Sequence, residues 1–188
     1  SESDHATWEA LATPAFNTEE AVKSFFEKSQ ENRPGRLRLR FKGASKVVNP
    51  RSLAAFRASS ELRKHSSALH VADTLLFHGS YAHNIPNLCT DGILMARANS
   101  TRRLTMGPGI YGAVDPQMSW EYCTRETEKE SRYKYANEAH MCLCRFNLTN
   151  GDYSKRRFEE YAVFSDDACV VLWDIKVERL PSFGTTSR

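Results

Sequence analysis

The final third of the chain most constrains the fold. Cys142, Cys144, Phe146 and Leu148 recur at a period of two, which is the side-chain period of a strand and not of a helix. Residues 160–164 and 168–177 follow as apolar, β-branched runs and predict two strands across a Ser-Asp-Asp turn. Shorter strand signals precede them. Leu37 and Leu39 alternate with Arg, Val47-Val48 suggests a second short strand, 74–77 runs into His78-Gly79, and Gly109-Ile110-Tyr111 opens another.

Helical signals interleave with these and dominate the start. Residues 1–33 read as helical, with Asn17 and Glu20 as a capping box and Val22, Phe25 and Phe26 as one apolar stripe, up to a break at Pro34-Gly35. Asn49-Pro50 starts a helix that carries Leu53, Phe56 and Leu62 and fades near His65. A helix over 85–90 ends at Asp91-Gly92, with Gly as a left-handed cap. Asp115-Pro116 caps a helix that holds Ser119, Trp120 and Tyr122. Residues 96–107, with Arg97, Arg102 and Arg103, read as a basic loop, and 124–138 as a solvated charged stretch. The pattern is α+β, with helices early and a mostly antiparallel sheet later.

At 188 residues the chain suits one domain, and 40% hydrophobic with 26% charged residues is ordinary for a globular protein. No internal repeat occurs. Twenty-six basic against 23 acidic residues leave +3, too weak a charge to imply nucleic acid by itself. The longest apolar run, 168–173, is too short to span a bilayer. SESDHATWE has no secretory signal pattern, which carries little weight in a chain that lacks an initiator Met. Five Cys, an odd count with no CxxC, fit reduced thiols and an intracellular setting in cytoplasm or nucleus. The sequons at Asn99 and Asn147 are of a kind that arises by chance.

Three patches bear on chemistry: Leu75-Leu76-Phe77-His78-Gly79-Ser80, Gly107-Pro108-Gly109-Ile110-Tyr111, and Phe158-Glu159-Glu160-Tyr161-Ala162-Val163-Phe164. Each alone has a bland reading: a satisfied strand-end His, a tight turn, a solvated strand entry. Their order and spacing resemble the catalytic domain of the poly(ADP-ribose) polymerase family, the diphtheria-toxin-like ADP-ribosyltransferases. The resemblance runs from about Leu37 through LLFHGS, the Asn84 helix, the Gly92-Ile93 turn, GPGIYGA and the Ser119-Trp120-Glu121-Tyr122-Cys123 helix to EYAVF and the last strand. It implies the ADP-ribosyltransferase fold, a mostly antiparallel split sheet with flanking helices, over residues 35–188. Residues 1–34 then form an N-terminal helical segment packed on that domain or leading into it. No long run before the motifs offers the family's autoinhibitory helical subdomain.

The family's His-Tyr-Glu triad carries over as His78, Tyr111 and Glu160, and Ser80 and Asn84 match positions that contact the adenosine side of NAD+. NAD+ is then the co-substrate, with no metal. The residue chemistry agrees with this. Loss of nicotinamide from ribose passes through an oxocarbenium-like transition state. Gly79 permits close backbone approach to a carboxamide, Ser119 adds a hydroxyl, and Tyr111 and Tyr122 offer stacking walls. A neutral His78 can bond the adenosine ribose, and Glu160 can stabilise developing positive charge and orient the acceptor. Arg97, Arg102 and Arg103 are candidates for the pyrophosphate. In a strand Glu159 and Glu160 point to opposite faces, and Glu159 is the runner-up carboxylate.

Competing readings have less support. His65, His70, His78 and His83 do not share a helical face, and no Cys pair has metal-ligand spacing. No phosphate-loop motif occurs, and the Gly-x-Gly at 107–109 lacks its strand-then-helix context. Nothing favours a Cys nucleophile with a His base. Transfer of single ADP-ribose units to protein side chains is the first expectation, since only TNGDYSKRRFE stands where polymerising relatives tend to carry a long acceptor-side loop. A Glu at the third triad position is nonetheless compatible with chain growth. Two alternatives stand beside it. One is a nucleic-acid acceptor met by Lys155-Arg156-Arg157, and the other is a non-catalytic module that binds NAD or ADP-ribose.

Overall fold

The computed structural model describes residues 1–12, 16–31, 37–66, 74–97, 105–124, 137–148, 153–157 and 159–180, with the side chains of 61–66 and 124 left aside. Pro34-Gly35, Asn99, Arg102, Arg103, most of the charged stretch at 124–138 and Phe158 lie outside the described residues, as does the side chain of Leu62. The elements run α1 (Glu2–Ala12), α2 (Glu19–Ser29), β1 (Leu39–Lys46), α3 (Pro50–Ser66), β2 (Thr74–Gly79), α4 (Ile85–Asp91), β3 (Ile110–Ala113), α5 (Pro116–Thr124), β4 (Glu138–Phe146), β5 (Tyr153–Arg156), β6 (Glu160–Val163) and β7 (Cys169–Arg179). The class is α+β, as expected.

The seven strands form one sheet in the order β1-β7-β4-β2-β3-β6-β5. Every neighbouring pair is antiparallel. The two halves meet through a single register pair, Phe77 with Ala113, while β2 and β4 pair along six residues. That narrow join between β2 and β3 gives the sheet its split character. The Ser-Asp-Asp turn therefore does not close a hairpin: β6 and β7 are separated in the sheet by β3, β2 and β4, and the turn carries the chain from one half to the other.

Both faces of the sheet are covered. On one face Met141, Leu143 and Phe77 pack with Trp8, Val22, Phe26, Phe56 and Trp120 from the helices. On the other, Cys142, Cys144, Phe146 and Leu76 pack with Ile85, Leu88, Ile110 and Val163. The alternation at 142–146 was thus only half of the pattern: β4 is central, and Met141 and Leu143 are as buried as the residues between them. Leu148 is buried beyond the strand's end. Asn147, the acceptor of the second sequon, is also buried and donates its amide to Ser60 Oγ at 3.2 Å, which leaves no room for a glycan.

Several local expectations change. The first helical stretch is two helices, and the cap of the second is Thr18 and not Asn17: Thr18 Oγ1 accepts from the Ala21 amide at 3.2 Å. This places Ala21, and not Glu20, at the third helical position. Val47-Val48 form no strand of their own and follow directly on β1. Asn49 does cap α3, its Oδ1 accepting from the Ser52 amide at 3.1 Å. Gly92 ends α4 at φ 80° and ψ −178°. The φ is positive, as a C-terminal glycine cap requires, but the ψ is extended and not left-handed helical, a region open essentially to glycine alone.

The N-terminal helices are part of the packing. Trp8 is 1% exposed, stacks edge-on against Trp173 at 5.4 Å, and donates its indole N–H to the Leu172 carbonyl at 3.1 Å.

Candidate active site

The narrow join between the sheet halves opens a cavity above β2 and β3. Its lining includes His78, Gly79, Ser80, Asn84, Tyr111, Ser119, Tyr122 and Glu160, the residues that the family resemblance nominated for the triad and for NAD+. Strand ends and one helix supply them: β2 ends in His78-Gly79, β3 begins at Ile110-Tyr111, α5 presents Ser119 and Tyr122, and β6 opens with Glu160.

His78 bridges the two halves. Its Nδ1 lies 2.6 Å from the Tyr111 carbonyl oxygen. A carbonyl only accepts, so Nδ1 carries the proton, and in the neutral ring Nε2 is the acceptor. Tyr111 fixes the loop before its own strand. Its phenol accepts from the Met106 amide at 2.9 Å and donates to the Gly107 carbonyl at 2.8 Å. Burial pushes the Tyr111 phenol above its ordinary range, the nearby Glu160 carboxylate adds to this, and the Met106 bond and Arg156 oppose it.

Gly79 has a packing reason. A Cβ there would lie 2.0 Å from the Ser119 carbonyl oxygen and 3.0 Å from Tyr122 Cβ, so α5 rests directly on the glycine. Ser119 Oγ donates to the Phe77 carbonyl at 2.8 Å, which commits its proton to β2. Its oxygen therefore keeps only acceptor capacity. Asn84 donates to Ser80 Oγ at 3.2 Å, and both line the cavity.

Glu160 is 1% exposed and is held at both oxygens. Tyr122 donates its hydroxyl to Oε1 at 3.2 Å, and the Arg156 guanidinium lies 3.1 Å from Oε2. Glu159 is turned away. It sits before the strand at φ 53°, is exposed, and pairs with Lys155 at 3.5 Å. The opposite-faces argument does not apply, because only Glu160 is in the strand. Of the basic loop, Arg97 lines the cavity and is paired with Asp91 at 3.0 Å.

Sequence reasoning missed two parts of this site. One is the apolar lining from Leu88, Ile93 and Leu94. The other is Arg156, which was grouped with Lys155 and Arg157 as a basic acceptor run. Residues 153–156 are a strand, not a loop, and pair directly with β6 so that Arg156 stands opposite Glu160. The i, i+4 spacing of Arg156 and Glu160 was the available signal, masked by the polar composition of TNGDYSKRRFE.

The thiols have other surroundings. Burial pushes Cys142 and Cys144 well above the ordinary thiol range, so neither supplies a thiolate. Among the described residues no group of three or more His, Cys, Asp or Glu gathers as metal ligands, and no helix is long and apolar enough to cross a membrane.

Residues 18–165, well over half of the chain, match the family model of the Poly(ADP-ribose) polymerase catalytic domain. The chain belongs to the poly(ADP-ribose) polymerase family. No curated protein matches it. As a member of this family it is an NAD-dependent ADP-ribosyltransferase, a glycosyltransferase-type enzyme that takes NAD+ as substrate. The poly(ADP-ribose) polymerase match takes in α2 and ends just past β6, so it spans every residue that lines the cavity.

Proposed function

We propose that this poly(ADP-ribose) polymerase domain moves single ADP-ribose units from NAD+ to protein side chains in an intracellular compartment, with His78, Tyr111 and Glu160 as its catalytic residues. The observation that carries the site assignment is the buried Glu160 carboxylate, held by Tyr122 and Arg156 in a cavity that Gly79, Ser80 and Asn84 also line.

The nicotinamide ring lies between Tyr111 and Tyr122, where aromatic faces exclude water. Its carboxamide meets the Gly79 backbone and Ser119 Oγ, the latter accepting an amide N–H because its own proton is spent on Phe77. His78 Nε2 accepts from an adenosine-ribose hydroxyl, in the tautomer that the Tyr111 carbonyl fixes. Ser80 and Asn84 line the adenosine side. The C1′–N bond breaks, and its electron pair leaves with neutral nicotinamide. Positive charge develops on the ribose, and Glu160 stabilises it. The acceptor's lone pair then forms the new bond at C1′, and its proton passes to Glu160 or to water. No step requires a metal.

Single transfer is supported by the acceptor side. There β5 pairs with β6 from Tyr153↔Val163 to Arg156↔Glu160, and this hairpin stands where polymerising relatives tend to carry a long loop. A protein acceptor is favoured over nucleic acid because Lys155 and Arg156 are engaged within the chain. Lys155 lies over the Tyr161 ring at 5.3 Å and beside Glu159, and Arg156 is on Glu160 and Thr105. Incubation with labelled NAD+ and separate protein, DNA and RNA pools tests the proposal. Label should enter protein as single additions. A ladder of lengthening products would contradict single transfer, and label confined to DNA or RNA would contradict the protein acceptor.

A further inference from the structure

The cavity's chemistry extends to a residue outside the His-Tyr-Glu set. We infer that Arg156 is a positioning residue for the reaction: it holds Glu160 in its working rotamer and ties that carboxylate to the loop at 105–107. The inference rests on the reading of Glu160 as the reacting carboxylate.

Three observations converge. First, the β5–β6 register places Arg156 directly across from Glu160, so the pair is built into the hairpin and does not depend on chance side-chain reach. Second, the guanidinium is anchored at two points. One terminal nitrogen is 3.1 Å from Glu160 Oε2, and the other donates to Thr105 Oγ1 at 2.6 Å. A planar, forked cation bound at both ends has lost most of its rotamer freedom, which a lysine in the same place would retain. Third, Glu160 is 1% exposed, so a neutral neighbour at 156 would leave a buried carboxylate held by the Tyr122 hydroxyl without its cationic partner.

The arrangement has a mechanical consequence. Thr105 is one residue before Met106, whose amide bonds the Tyr111 phenol. Arg156 thereby joins the carboxylate that acts on the nicotinamide ribose to the loop that Tyr111 holds beside the ring. With Tyr122 on Oε1 and Arg156 on Oε2, the carboxylate is set between two donors before substrate arrives. Such preorganisation acts on the chemical step more than on ground-state binding. The other cations of the run do not share this role, since Lys155 faces Glu159 and Tyr161.

The test is steady-state nicotinamide release by the full chain carrying Arg156→Ala, Arg156→Lys, Thr105→Val or Glu160→Gln, with NAD+ binding measured separately. For Arg156→Ala, kcat should fall about 100-fold, the scale seen when one fixed transition-state donor is lost, while KM for NAD+ stays within about threefold. Arg156→Lys should recover part of that loss. Added guanidinium ion should raise the rate of Arg156→Ala and leave the unmodified chain unchanged, an effect that a merely structural role would not produce. Thr105→Val should lower kcat severalfold, because the guanidinium loses its second anchor. Normal kcat in a folded Arg156→Ala overturns the inference, as does a loss that resides wholly in KM. If Arg156→Ala does not fold, an unchanged kcat in both Arg156→Lys and Thr105→Val overturns it instead. Glu160→Gln separates the two levels: if it is inactive while Arg156→Ala is normal, only the role of Arg156 fails, and if it is active, the reading of Glu160 itself fails.

Discussion

His78 Nδ1 lies 2.6 Å from the Tyr111 carbonyl oxygen, and this hydrogen bond ties the end of β2 to β3 across the join where the two strands share only one register pair. It sets the imidazole tautomer and the spacing of the two sheet halves together. His78→Ala removes both. KM for NAD+ should rise at least tenfold, a loss of about 1.4 kcal/mol of binding. His78→Gln, which keeps an amide donor and an acceptor, should retain more affinity. Isothermal titration with NAD+ checks the order; equal affinity in both variants and the unmodified chain would refute it.

Gly79→Ala should destabilise the fold and not simply block a ligand. The new Cβ would meet the Ser119 carbonyl at 2.0 Å, which is backbone and cannot swing aside. α5 must therefore shift off β2, at a cost of about 1–3 kcal/mol or more by the usual scale of overpacking. Chemical denaturation measures this. A variant with unchanged stability but lost NAD+ binding would show that the glycine serves the ligand alone.

Tyr111→Phe should loosen the loop at 105–107, because the phenol is both acceptor for the Met106 amide and donor to the Gly107 carbonyl. Two bonds lost without replacement should cost about 1–3 kcal/mol of stability. The phenol also gives a pH signature. Burial raises its folded-state pKa above the unfolded value of about 10. The unfolded chain then releases this proton first, so the contribution is intact below pH of about 10 and is lost as pH rises through the raised folded value. Denaturation at a series of alkaline pH values should show a steeper decline in the unmodified chain than in Tyr111→Phe.

Trp8→Ala should lower the stability of the whole domain. Trp8 is 1% exposed and packs on Trp173 of β7. Truncation of a buried aromatic costs about 3–5 kcal/mol. One cooperative transition at a lower midpoint is expected. A separate early transition, with the sheet unaffected, would mean that α1 is an appendage.

The fold class, and the meeting of the three patches around one cavity, were legible because their signals are local. His78-Gly79 at a strand end, Tyr111 opening a strand and Glu160 before an aromatic are short patterns that survive without tertiary context. What was illegible depended on pairing between distant segments. Nothing local says that β6 and β7 lie apart in the sheet, since each pairs with strands far from it in the chain. The both-faced burial of β4 was hidden because the period-two reading rested on Cys142, Cys144, Phe146 and Leu148 and gave Met141 and Leu143 no place. Arg156 was misread for a related reason: a basic tripeptide looks like a solvated run until the register with β6 places its middle member on Glu160. The cap at Thr18 differed from Asn17 by one residue, a choice between two adjacent capping residue types that the sequence leaves even.

The reaction centre is best tested by Glu160→Gln, which keeps the size of the side chain and removes its charge. Nicotinamide release and NAD+ affinity should be measured on the same folded preparation. Release should fall by at least about 100-fold, with NAD+ affinity within about threefold, because the carboxylate acts on charge that develops only in the transition state. Near-normal release from a folded Glu160→Gln would contradict the assignment, and would show that the buried carboxylate between Tyr122 and Arg156 is a structural group.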